Sequence, residues 1–276
     1  MNRKLPDLSA EIDPVVTEIL EIVNTVTRSN GIPFFIVGAF ARDIFFTSRR
    51  ATNDLDIGIQ IGTWDTFNTL KEALIATGKF TSTDISHRLH FFKERYPLDM
   101  LPFGSVTEPD GSITWPDKRR MRILGFDDAY KDSIEVFIKG MDDYPLRVAG
   151  PVGLVILKLI AWSDAADRRE RDAKDIDLIL SEYYSLSDNS ERVFDCPEIM
   201  DAVAFDIQRA GTILLGKDVA GLIRRKRTEQ VIRSIIDAEL SSDPCNLAMN
   251  MRENIAREDT YEAKYKMIVD FRKGFD

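Results

Sequence analysis

The sequence predicts an α+β fold: a mixed sheet flanked by helices over residues 1–149, then a helical domain over residues 150–276. Three observations carry this. Residues 34–61 read as strand, glycine turn, short helix, polar turn and second strand, an order that builds a sheet with a helix packed on it. Short β-branched and aromatic runs with turn residues between them continue toward Leu146. From Pro151 the strand signals stop, and the chain reads as helices separated by polar breaks.

Taken in order, Ile12, Val15, Val16, Ile19, Ile22, Val23 and Val26 recur at helical spacing and predict an amphipathic helix over 11–29, ended by Gly31-Ile32-Pro33. Phe34 to Val37 is an apolar run of the buried-strand type, broken by Gly38 and Ala39. A short helix carrying Arg42 and Asp43 follows. The polar turn Ser48 to Asn53 leads into the strand Asp54-Leu55-Asp56-Ile57-Gly58-Ile59. Thr63 caps a helix from Trp64 to Ala76 that Gly78 stops. His87 to Lys93 and Pro97 to Phe103 read as two strands joined by Lys-Glu-Arg-Tyr, with further strands around Met121–Leu124 and Ser133–Ile138. The division falls near Ala149-Gly150-Pro151, and Pro197 and Pro244 bound helices beyond it.

The chemistry is concentrated in residues 34–61. Alternation along a strand places residues two apart on one face, so Asp54 and Asp56 project together while Leu55 and Ile57 face a core. Two neighbouring carboxylates repel unless a cation sits between them, and Mg²⁺, which takes oxygen ligands and keeps phosphates and water in its shell, suits the position. The backbone N–H groups of Gly38 and Ala39, at the start of a helix, are placed to cradle a phosphate. Arg42 would add a bidentate donor to a triphosphate, or pair with Asp43 and brace the turn. Thr52 and Asn53 would cap the turn or touch phosphate. Asp99 lies among Leu98, Met100 and Leu101, where an unpaired carboxylate is costly unless a cation neutralises it, and it is the first choice for a third metal ligand. Glu135, in Ser-Ile-Glu-Val-Phe-Ile, is the rival on the same pattern. His87 and Arg88 precede a strand near this pocket, with Arg88 a candidate for a phosphate or acceptor contact.

Composition sets limits. Hydrophobic content of 44% and charged content of 30% describe a globular chain. No apolar run approaches the roughly 20 residues of a membrane span, and the N-terminus MNRKLPDLSAEIDP lacks the apolar core of a signal peptide. With Cys196 and Cys245 in no disulfide framework or metal spacing, a cytoplasmic location is expected. Two histidines make the usual zinc site unfavoured. The net charge of −9 argues against nonspecific nucleic-acid binding. Residues 1–150 hold 18 Lys+Arg against 22 Asp+Glu and residues 151–276 hold 19 against 24, so neither half is basic. Contact with RNA would have to come from local patches, Lys118-Arg119-Arg120 with Arg122, or Arg224-Arg225-Lys226-Arg227 with Arg233. A charge cluster this short is more often a solvated helix face or loop.

The strand, Gly plus small residue, helix and Asp-x-Asp strand together resemble the head motif of the DNA polymerase β nucleotidyltransferase superfamily, and the Arg-Asp after the glycine resembles that of CCA-adding enzymes. Within the superfamily, Pro97-Leu98-Asp99-Met100-Leu101-Pro102-Phe103-Gly104 and the run from Leu154 to Leu180 look most like the AbiEii-type toxins of type IV toxin–antitoxin pairs. One departure is Ala39, where the superfamily has Gly or Ser, so a hydroxyl contact to phosphate is absent. The resemblance implies a nucleotidyltransferase head, a helical C-terminal domain forming one wall of the cleft, NTP as substrate, and two Mg²⁺ ions about 3.5–4 Å apart held by Asp54, Asp56 and Asp99. It also implies that Lys158 reaches a phosphate and Asp175 orients it, although periodicity explains Lys158, Asp164, Arg168, Lys174, Asp175 and Asp177 equally well as salt-bridged helix faces. The implied function is transfer of NMP to RNA, at a tRNA 3′ end, held in check by a cognate antitoxin. A small-molecule acceptor such as an antibiotic hydroxyl is the alternative. A protein-modifying or noncatalytic nucleotide-binding partner is a third.

Overall fold

The computed structural model describes residues 12–46, 53–92, 95–137, 145–164, 169–251 and 258–276. It divides into two compact units, Met1–Gly150 and Pro151–Asp276. In the first, helix α1 (Pro14–Ser29) begins where the Asp13 side chain accepts from the Val15 N–H at 2.8 Å, with Pro14 where no N–H is needed. Strand β1 (Phe34–Val37), helix α2 (Gly38–Phe45), strand β2 (Leu55–Ile61) and helix α3 (Trp64–Ala76) follow. The Thr63 hydroxyl caps α3 by accepting from the Thr66 N–H at 3.2 Å. Then come β3 (Phe80–Ser82), β4 (Arg88–Phe91), β5 (Tyr96–Gly104), β6 (Ser112–Thr114), β7 (Arg120–Arg122), α4 (Phe126–Asp132), β8 (Ile134–Val136) and β9 (Leu146–Val148).

Seven strands form one mixed sheet in the order β3-β4-β5-β2-β1-β9-β8, with β2 parallel to β5 and β1 parallel to β9. Strands β6 and β7 form a separate antiparallel ribbon, so the segment read at 121–124 does not join the main sheet. Strands β3, β6 and β9 and helix α4 escape a reading of the sequence because three residues carry no measurable period and α4 is under two turns long. Leu55, Ile57, Ile59, Leu98 and Met100 are fully buried on one sheet face, where α3 packs on β2. The opposite face carries Phe35, which sits edge-on to Phe103, Phe126 and Tyr130 as α4 covers β5. Gly58 lies under the Phe35 ring, so any Cβ there would collide with it.

The second unit is helical. It comprises α5 (Pro151–Asp164), α6 (Arg169–Glu182), a 3₁₀ turn at Tyr183–Ser185, α7 (Asn189–Phe194), α8 (Pro197–Ala202), α9 (Ile207–Leu222), α10 (Lys226–Leu240), α11 (Asn246–Met251) and α12 (Glu258–Lys273). Helix α9 is its axis, packed by α5, α6, α7, α8 and α12. An apolar band along α9, including Ile213, Leu214, Leu215 and Val219, is buried accordingly. No helix among the described residues is long and apolar enough to cross a membrane.

Candidate active site

Register brings the carboxylates together. Asp56 on β2 stands opposite Val37 on β1 and opposite Asp99 on the parallel strand β5. Asp54 precedes it on the same face. Asp54, Asp56 and Asp99 each offer a carboxylate oxygen, and these oxygens lie within 4.8 Å of one another. An all-oxygen donor set of this charge fits a hard divalent cation of the Mg²⁺ type rather than a soft metal. The field of the cluster is felt around it: burial first, then Asp54, Asp13 and Asp56, push the Tyr96 phenol up to about 12.

Gly38 closes the other side. It opens α2 with φ +70°, and a Cβ there would overlap Asp56 Oδ2 and lie 2.9 Å from its Cγ. The glycine therefore satisfies a left-handed backbone and a carboxylate that fills its side-chain space. Gly38, Ala39 and Phe40 are partly exposed at this turn, where the first N–H groups of a helix have no partner within it. Gly38→Ala is expected to keep the sheet folded and displace the Asp56 carboxylate. A displacement on the 1 Å scale lowers an oriented reaction about 100-fold. Rates of label transfer at matched thermal stability check this.

Asp99 already has a cation. Arg88, its register partner on β4, donates from Nε to Oδ1 and from Nη2 to Oδ2, both at 2.6 Å, and His87 Nε2 stands 4.0 Å from Oδ2. The Asp99 hydrogen bond raises the Arg88 pKa against the opposing effect of burial, and Asp99, Asp54 and Asp56 reinforce it electrostatically. The cation that burial of Asp99 demands is thus supplied by protein. A bidentate arginine uses two of about four lone-pair sites on a carboxylate, so a metal is not excluded by the pair. Arg88→Gln is expected to lower the melting temperature in metal-free buffer and to gain more from added Mg²⁺ than the unmodified protein does, because the ion replaces the lost charge. Equal Mg²⁺ gains in both, measured by scanning fluorimetry, would refute this.

The remaining sequence candidates fall as follows. Glu135 is on β8, an edge strand, exposed and 3.7 Å from Arg147, and takes no part in the cluster. Arg42 is 1% exposed and held by Asp43 at 2.6 Å, the bracing arrangement, so a phosphate contact would require this pair to open. Thr52 lies outside the described residues. Lys158 and Asp175 belong to the second unit. There Lys158 Nζ lies 2.7 Å from Asp175 and 3.0 Å from Asp172. Asp172 has no place in the sequence reading, though its spacing of three from Asp175 along α6 puts both on one helix face. In the basic patches, Arg119 pairs with Asp117 at 2.6 Å, Arg120 with Asp110, and Arg233 with Glu229 at 2.9 Å.

No protein-family profile and no curated protein sequence matches the chain. Solved structures do. The nucleotidyltransferase-like antigenic protein of Paracoccidioides brasiliensis aligns at 15% identity over 72% of this chain and 95% of its own, with a TM-score of 0.42. ANT(2″)-Ia in complex with adenylyl-2″-tobramycin aligns at 12% identity over 71% and 96%, with a TM-score of 0.41. The Thermotoga maritima CCA-adding enzyme complexed with tRNA aligns at 13% over 96% and 82%, with a TM-score of 0.29. The α+β class itself rests on the mixed seven-stranded sheet and its helices.

Proposed function

We propose that the chain is a Mg²⁺-dependent nucleotidyltransferase that moves NMP from NTP to an acceptor hydroxyl, with RNA, at a tRNA 3′ end, as the acceptor. The observation that carries this is the cluster of Asp54, Asp56 and Asp99 on one sheet face, with oxygens within 4.8 Å, beside the glycine that opens α2. Mg²⁺, when bound, would neutralise phosphoryl oxygens and lower the cost of deprotonating the attacking hydroxyl. The chain does the rest. Asp54 and Asp56 hold the cation side of the triphosphate, and the N–H groups of Gly38 and Ala39 meet phosphate oxygens. Asp99, fixed in orientation by Arg88, serves the acceptor side. The acceptor oxygen bonds to the α-phosphorus as the bond to the bridging oxygen breaks, pyrophosphate leaves, and the hydroxyl proton passes to water. In this reading Lys158 exchanges its carboxylate partners for a phosphate and Asp175 orients it. The toxin-like role and an antitoxin partner follow from the resemblance to AbiEii-type proteins.

The net charge of −9 favours a second reading, a cationic small molecule such as an antibiotic as acceptor. Each α-labelled NTP, incubated with protein, Mg²⁺ and either total RNA or an aminoglycoside, separates the two. Label in a tRNA-sized band establishes the first, label on the small molecule the second, and label on neither removes both.

A further inference from the structure

A cleft of about 260 Å³ that no motif marks lies between α3, the segment before β4 and the turn after β6. Its wall is aromatic: Trp115 packs against Trp64 at 5.3 Å and Phe67 at 5.6 Å between ring centroids. Its rim is polar, with Lys71 donating to the Ser86 carbonyl at 2.8 Å, and Asp84 exposed. One residue along the chain, His87, separates its lining residue Ser86 from Arg88, the partner of Asp99. Ser86 lines the cleft, Arg88 grips Asp99, and His87 between them packs tilted against Trp115, at 5.6 Å between centroids, and stands 4.0 Å from Asp99.

The wall also continues into a basic turn. Trp115 follows β6, and the turn after it carries Lys118 and Arg119 and leads into Arg120 of β7, closed by Lys118 N–H to Trp115 O at 2.8 Å. Ser86 Oγ, 3.1 Å from Asp117 Oδ2, ties this turn to the segment that leads through His87 into Arg88 at the start of β4. Arg119 and Arg120 are paired with acids, while Lys118 is exposed.

We propose that this cleft binds a nucleobase of the RNA acceptor strand, with Trp64, backed by the buried Trp115, as the stacking wall and Lys71 and Lys118 for the flanking phosphates. The proposal rests on the nucleotidyltransferase reading only for the word acceptor. A planar ring meets an aromatic wall, an anionic backbone meets two lysines, and a single base is of the right scale for the cavity. A polycationic sugar would have to approach those same lysines.

The test uses full-length Asp54→Ala/Asp56→Ala protein in EDTA, so binding is read without transfer. The probe is a fluorescein-labelled single-stranded ribo-oligonucleotide with a free 3′ hydroxyl, followed by anisotropy and by quenching of tryptophan emission. Binding with quenching is expected. Trp64→Leu should weaken it about tenfold, within the usual range for one base stack, with Trp64→Phe recovering most of the loss. Lys118→Gln should reduce the salt slope by about one. Affinity unchanged by Trp64→Leu and Lys71→Gln, with both variants folded by circular dichroism, would overturn the proposal. So would quenching by an aminoglycoside and not by the oligonucleotide. If wild-type protein transfers label while the oligonucleotide ignores these substitutions, the cleft assignment fails and the enzymatic reading stands. Substitution-sensitive binding without any transfer supports the cleft and removes the enzyme.

Discussion

Asp56→Asn is expected to lower label transfer at least about 1,000-fold while leaving the first unit as stable as before or slightly more so. The two halves of this expectation come from the same geometry. Asp56 is the middle member of the cluster, flanked by Asp54 on its own strand and by Asp99 across the parallel register. Metal-assisted charge stabilisation supplies several kcal/mol to a phosphoryl transfer, and each 1.36 kcal/mol is a factor of ten in rate. Without bound metal, Asp56 stands between the like charges of Asp54 and Asp99, and Arg88 neutralises Asp99. Asn keeps the shape and removes the charge. The melting temperature should therefore hold in EDTA, and the rise on adding Mg²⁺ should shrink. A variant that loses activity and stability together would instead mark Asp56 as structural. Full activity in Asp56→Asn, measured with the labelled NTP assay, would remove the metal assignment.

The carboxylate pair was legible because a strand's period of two is local: Asp54 and Asp56 need only each other, and Leu55 and Ile57 need only a core. Asp99 was legible as a charged residue in an apolar run. What could not be read was its placement. The parallel pairing of β2 with β5 is set by contacts far apart in the chain, and it puts Asp99, not Glu135, beside Asp56. Pairing with Arg88 was hidden for the same reason, since it depends on the β4–β5 register. The aromatic cleft draws on α3, the segment before β4 and the β6–β7 ribbon, three pieces with no shared spacing. In the second unit, helices α5 and α6 were visible as an apolar frame with polar insertions. Which acid Lys158 would choose was not, and it takes two.

Lys158→Met should destabilise the helical unit by about 3–5 kcal/mol, the usual consequence of removing one partner from a buried charge cluster. Lys158 is 16% exposed in its side chain, and Asp172 and Asp175 are 8% and 3% exposed, so water does little to replace the lost ammonium. Burial works against the charged lysine, but Asp175 and Asp172 outweigh it and its pKa rises above the ordinary 10.5. A raised pKa means that the folded state holds this proton more tightly than the unfolded chain does. The stabilisation is therefore complete below the unfolded lysine value of about 10.4 and is lost as pH climbs through the raised folded value. Alkaline unfolding of the wild type should accordingly steepen above that pH, and Lys158→Met should lack this step. Adding Asp172→Asn and Asp175→Asn to Lys158→Met removes the stranded charges and should recover most of the loss. Urea titrations of the three proteins, followed by circular dichroism at neutral pH, check the order of stability. If Lys158→Met unfolds no earlier than wild type yet binds NTP weakly, the lysine serves phosphate alone and its two carboxylates hold no structural charge balance.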